Sequence, residues 1–97
     1  MKHFVVLITY TAPVEEIDSV LGDHRAYLQT GYDSGLLLCS GPRNPRTGGL
    51  VVARAESLAV ISDWFSRDPY QLKGIAEYAF IEFNPVKHQG FLQDWVE

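Results

Sequence analysis

The sequence predicts an α+β fold: a four-stranded antiparallel sheet with two helices on one face. Three observations predict it. Apolar, β-branched and aromatic residues gather in four short runs, as strands require. Two intervening stretches switch to apolar spacings of three and four, as amphipathic helices require. The runs and stretches follow one another as strand, helix, strand, strand, helix, strand, which is a near-duplicated half repeated once.

Lys2–Tyr10 is the first strand, ended by Thr11-Ala12-Pro13. From Pro13 the period changes. Val14, Ile17, Leu21, His24 and Leu28 form a stripe, and Glu15, Glu16 and Asp18 fall where the helix dipole favours negative charge, so a helix runs to near Gly31 or Gly35. The apolar run Leu36–Cys39 is the second strand, closed by Ser40-Gly41-Pro42. A loop over Arg43–Gly49 leads to the third strand, Leu50–Ala55, antiparallel to the second. Ser57 caps a second helix with the stripe Leu58, Ile61 and Phe65, flanked by Val60 and Trp64. Asp68-Pro69 starts a short helical turn, Pro69–Lys73, that Gly74 ends. Tyr78–Phe83 is the fourth strand, and Asn84-Pro85 breaks it. The order β-α-β-β-α-β is the split βαβ, ferredoxin-like arrangement. The expected organisation is one domain over residues 1–97, with the core in 2–84 and an aromatic tail over 85–97 carrying Phe91, Leu92, Trp95 and Val96.

Alternation along the strands leaves both faces of the sheet apolar. Phe4, Val6, Ile8 and Tyr10 share one side of the first strand, Val5 and Leu7 the other, and the fourth strand alternates Ala79, Ile81 and Phe83 with Tyr78 and Phe80. Two helices cover one face only. A bare apolar sheet is more than a monomer normally exposes, which predicts a homodimer packed through the open face. The alternative is a monomer whose tail alone covers that face. The sequence leaves open whether the tail lies over a second subunit or folds back on its own.

Composition narrows the function. The chain is 46% apolar and 21% charged, and area scaling buries about two-thirds of its surface, which excludes disorder as the main state. The longest purely apolar runs, Phe4–Ile8 and Leu36–Cys39, fall far short of the ~20 residues that cross a bilayer. Met1-Lys2-His3 leads straight into a strand with no cleavage pattern, and one cysteine makes no internal disulfide, so the expected address is cytoplasmic. With 8 Lys and Arg against 12 Asp and Glu, the net charge of −4 offers a phosphate backbone no broad attraction, and nucleic acid is not an expected partner. His3, His24 and His88 lack metal-ligand spacing, and no glycine-rich dinucleotide or phosphate loop occurs, so no cofactor is expected.

His24 is the unusual residue of the first helix, on the edge of its core-facing stripe. A histidine becomes a competent general base once a carboxylate fixes its tautomer, although a histidine on an apolar face is more often a satisfied core residue. Asp68 can supply that carboxylate; it also makes a strong N-cap with Pro69, and one carboxylate can do both. Ser40 can offer a hydroxyl to a ligand or simply end a strand. Arg43 and Arg46 flank a loop and can hold an anion, while Cys39 reads as an inert small hydrophobe.

Three landmarks carry a resemblance to a known family: His24-Arg25-Ala26-Tyr27-Leu28 on the first helix, Ser40-Gly41-Pro42 at the end of the second strand, and Asp68-Pro69-Tyr70 followed by Gly74-Ile75 and Glu77. With the βαββαβ order they span residues 2–84, and the chain resembles the YciI-like, or YCII-related, proteins, small bacterial dimeric α+β barrels. The resemblance implies a His–Asp pair in a cleft beside the sheet, here His24 and Asp68, with Ser40 as a further polar lining group; Arg43 and Tyr70 are the other expected substrate contacts. It also exposes a departure. The family often places an arginine three residues before the histidine, and this chain has Leu21 there, so an anion-binding role is not expected to carry over unless Arg43 or Arg46 supplies the charge.

The leading functional expectation is a small cofactor-independent enzyme with His24 as general acid/base and Asp68 as its partner, performing an elimination or isomerisation on a small cyclic or aromatic metabolite. The alternative, from another class, is a non-catalytic small-molecule-binding or interaction module acting as a dimer. A third, a haem-dependent or cofactorless monooxygenase, needs His24 or His3 to face a large apolar cavity. A His–Asp hydrogen bond opening onto a cavity separates the first from the second.

Overall fold

The computed structural model covers residues 1–97. Its elements are β1 (Lys2–Tyr10), α1 (Val14–Asp33), β2 (Leu37–Pro42), β3 (Gly48–Ala55), α2 (Leu58–Phe65), α3 (Pro69–Leu72) and β4 (Ala76–Phe83), followed by a 3₁₀ turn at Gly90–Leu92 and α4 (Gln93–Val96). The strands form one antiparallel sheet in the order β2-β3-β1-β4, so the expected ferredoxin-like α+β architecture is the one observed. No helix is long and apolar enough to cross a membrane.

The strands run longer than local signals indicate. β1 offers partners on both edges along its whole length, pairing Thr9 with Gly48 on one side and Tyr10 with Ala76 on the other. That pairing extends β3 and β4 past the expected starts at Leu50 and Tyr78. Gly48 is required by the close approach: a Cβ there would lie 1.8 Å from the Ile8 carbonyl oxygen. β2 includes Ser40-Gly41-Pro42 as its last three residues and ends at Pro42.

Phe4, Val6 and Ile8 of β1, with Val51 and Ala53 of β3, point towards the helices and meet Ile17, Ile61 and Phe65 in the core. The buried stripe of α1 is Ile17, Val20, His24, Leu28 and Gly31. His24 therefore sits within that stripe and not on its edge, while Val14 is exposed and Leu21 half-buried. At about 100° per residue the two stripes are equally narrow; the buried one is turned about 40° round the helix, which brings Val20 and Gly31 in and puts Val14 and Leu21 on its margin.

The opposite face carries Val5, Leu7, Leu50, Val52, Ile81 and Phe83. The tail folds back on its own chain across one corner of this face. Trp95 lies under the Arg54 guanidinium at 4.2 Å, and its carbonyl accepts from Arg54 Nη1 at 3.2 Å and His3 Nε2 at 3.0 Å. The remainder stays open, with Ile81 50% exposed.

Candidate active site

Asp68 is placed by local chemistry. It precedes Pro69 at the start of α3, and its Oδ1 accepts from the Tyr70 N–H at 3.4 Å, the N-cap that the Asp-Pro pair predicts. Gly74, at φ 68°, ends α3 in the left-handed conformation that a side chain resists. The resulting tight turn holds Tyr70 against α1.

His24 arrives from α1 and meets Asp68 directly. Nδ1 donates to Asp68 Oδ1 at 2.7 Å, with His24 8% exposed and Asp68 fully buried. The imidazole lies flat on the Tyr70 ring, centroids 3.8 Å apart and planes within 8°. Asp68 Oδ2 accepts from the Tyr78 hydroxyl of β4. The carboxylate thus receives three hydrogen bonds, as a buried charge needs. Burial pushes the Tyr78 phenol well above its usual range, and the Asp68 charge pushes it the same way, so Tyr78 stays a donor.

Nδ1 is committed to Asp68, which leaves Nε2 without a protein partner beside a pocket of about 450 Å³. The pocket lies between α1 and the β1, β2 and β3 strands. Ile8, Leu21, Leu28 and Val51 supply apolar wall, and Tyr10, Ser40, Tyr70, Arg25 and Arg46 supply polar groups.

Ser40 reaches this pocket because β2 has a bulge. Leu37 pairs with Ala53 but Cys39 pairs with Val52, so Leu38 is an extra residue and the alternation shifts by one. Leu37 keeps its place in the core, Cys39 turns to the open face, and Ser40, opposite Val51, turns to the pocket. Its Oγ shares a hydrogen bond with the Tyr32 hydroxyl.

The structure brings His24, Asp68, Tyr70 and Ser40 together and leaves Arg43 out. Arg43 Nη1 donates to Thr9 Oγ1 at 3.3 Å, on the open-face side of β1, and does not line the pocket. The loop arginine at the pocket is Arg46, tied by Nη2 to Asp18 Oδ1 at 2.6 Å. His3 lies outside the pocket, packed edge-on against Phe83 and Trp95. Tyr78 and Tyr10 are the members that sequence reasoning missed. The available signal for Tyr78 was the register: a phenol opposite Ile8 must point into the helix-covered layer and find a partner there.

The family model of the YCII-related domain matches residues 2–84. The chain belongs to the YCII-related family. Among solved structures, this YCII-related chain is similar to 5-chloro-2-hydroxyhydroquinone dehydrochlorinase (TftG) from Burkholderia phenoliruptrix, in complex with 2,5-dihydroxybenzoquinone. The TM-score is 0.69 at 19% identity, over 92% of this chain and 97% of that one. At that identity the likeness establishes a shared fold. Among curated proteins, none matches the chain.

Proposed function

We propose that this YCII-related protein is a cofactor-independent enzyme that moves protons on a small cyclic or aromatic metabolite, with His24 as general acid/base and Asp68 as its orienting partner. One observation carries the reading: a buried 2.7 Å His–Asp contact made by a histidine that lines a ligand-sized pocket and has no protein partner on its second ring nitrogen. With the proton on Nδ1, the neutral ring keeps its lone pair on Nε2, towards the ligand, and the imidazolium formed by proton uptake is stabilised by the carboxylate. A proton leaves a carbon next to a carbonyl or hydroxyl, and its electron pair either expels a leaving group from the neighbouring carbon or shifts a double bond. The outcome is elimination or isomerisation, and Ser40 and Tyr70 line the space the ligand fills. TftG, which shares the fold, is named for removal of chloride from a small hydroxyhydroquinone, which supports this class of chemistry here.

The test is deuterium uptake from D₂O into a panel of cyclic ketones and hydroxyhydroquinones, followed by NMR. The expected result is catalysed exchange in at least one compound, lowered roughly 10²–10⁴-fold in His24→Ala. Exchange that persists in a folded His24→Ala protein removes the base assignment.

The same reading makes the functional unit a homodimer joined through the open sheet face. The tail holds to the His3 and Arg54 corner, while Leu50 and Ile81 of the apolar strip that also includes Val5 and Leu7 stay exposed, a surface suited to a second copy. Sedimentation should give twice the chain mass for the wild type and one chain mass for Ile81→Asp. A monomeric wild type defeats the dimer.

A further inference from the structure

Beside the base, a residue of the pocket wall carries the one buried side-chain polar atom that the fold leaves unpaired. Tyr70 is 2% exposed, lines the pocket, and has no hydrogen-bond partner for its hydroxyl. Buried hydroxyls are nearly always satisfied, so an orphan of this kind calls for an explanation. Its neighbours supply one. The Tyr10 ring meets Tyr70 edge-on at 6.0 Å, and the Arg46 guanidinium lies 5.7 Å from the Tyr10 ring centroid. Arg46 uses one N–H on Asp18 and has others to give. A phenol O–H and a guanidinium that do not bond each other share one complement: an oxygen acceptor, preferably anionic.

Taking its catalytic meaning from the general-base reading above, we propose that the Tyr70 hydroxyl and Arg46 form an oxyanion end of the pocket that takes the phenolate or enolate oxygen of a single-ring ligand. The stacking of Tyr70 on His24 sets the two rings side by side, within the span of one ligand ring. In the reaction, the C–H bond next to a carbonyl breaks and the proton passes to His24 Nε2. The electron pair moves through the carbon–carbon bond onto the carbonyl oxygen, and the enolate so formed is the charge that Tyr70 and Arg46 stabilise. Burial moves the Tyr70 phenol from 10.0 up to about 12, which keeps it a donor and prevents a competing anion in the pocket. Arg46 also answers the absence of an arginine at Leu21: the charge comes from the β2–β3 loop instead of from α1.

The probe is 4-nitrophenol, whose absorbance reports its own ionisation, with nitrobenzene as the ring without the oxygen. Wild type should bind the phenolate in preference to the neutral phenol. Tyr70→Phe and Arg46→Gln should each weaken phenolate binding roughly tenfold or more, the loss of one charge-assisted hydrogen bond, and leave nitrobenzene binding unchanged. Arg43→Gln, which removes an arginine of the same loop that does not line the pocket, should change phenolate binding less than about twofold, because short-range contacts and not general field hold the oxygen. The proposal is overturned if Tyr70→Phe and Arg46→Gln bind phenolate as the wild type does, or lose nitrobenzene in equal proportion. Phenolate binding needs no proton transfer. Absent exchange with intact phenolate selectivity therefore defeats the base alone, and intact exchange without phenolate selectivity defeats the oxyanion end alone.

Discussion

Two histidines of this chain are buried to nearly the same degree, His3 at 4% exposure and His24 at 8%, on opposite faces of the sheet, and their surroundings assign them different work. His3 gives its Nε2 proton to the neutral carbonyl of Trp95, and Phe83 and Trp95 close over it edge-on. It pins the tail to β1. His24 gives its Nδ1 proton to a fully buried carboxylate that is itself held by a tyrosine hydroxyl and a backbone N–H, and its second nitrogen is left without a protein partner beside a pocket. Burial alone does not separate a structural histidine from a functional one. The charge of the partner and the view from the other nitrogen do.

The largest effects should follow that distinction. Asp68→Asn keeps the shape of the site but removes the charge, and an amide can turn its NH₂ towards His24 while its oxygen accepts from Tyr78. The proton on the ring then moves from Nδ1 to Nε2, which blocks the base. Any exchange activity should fall by roughly 10²-fold, the low end of what a positioned base contributes, and ¹⁵N spectra of the ring should show the reversed tautomer. His3→Gln should leave activity within about twofold and lower stability by about 1 kcal/mol, the worth of one hydrogen bond. Equal activity losses in the two variants, with both folded, would erase the comparison.

The parts of this difference legible in the sequence were those set by local rules. Asp68-Pro69 announces a cap, the helical period delivers His24 to the covered face, and the βαββαβ order follows from alternating periods. What was not legible depends on pairing between distant segments. The bulge at Leu38 is invisible in an apolar run, yet it decides that Ser40 and not Cys39 looks into the pocket. Arg43 and Arg46 are equivalent in composition, and only the path of the β2–β3 loop sends one to Thr9 and the other to Asp18. Tyr78 read as an ordinary strand residue until β4 was set against β1.

The two histidine corners also differ, by a smaller amount, in what they contribute to stability. The His3 corner is satisfied, whereas the His24 corner holds an unpaired hydroxyl, so the two should respond oppositely to loss of a polar group. Tyr70→Phe removes a buried orphan and should stabilise by about 1 kcal/mol, raising the melting temperature by roughly 4–8 °C, while His3→Gln lowers it. The alkaline side sharpens this. Tyr70 titrates at 10.0 when exposed and at about 12 in the fold, so between those values the folded chain retains a proton that the unfolded chain releases. The stability tied to this group is complete below about pH 10 and is lost as pH rises towards 12. Tyr78, also pushed up by burial and by Asp68, adds to the same downward slope. Melting curves from pH 8 to 11 should therefore fall less steeply for Tyr70→Phe than for the wild type. Parallel curves would mean that the Tyr70 hydroxyl is hydrated in solution, and the unpaired buried donor in the pocket wall would vanish with it.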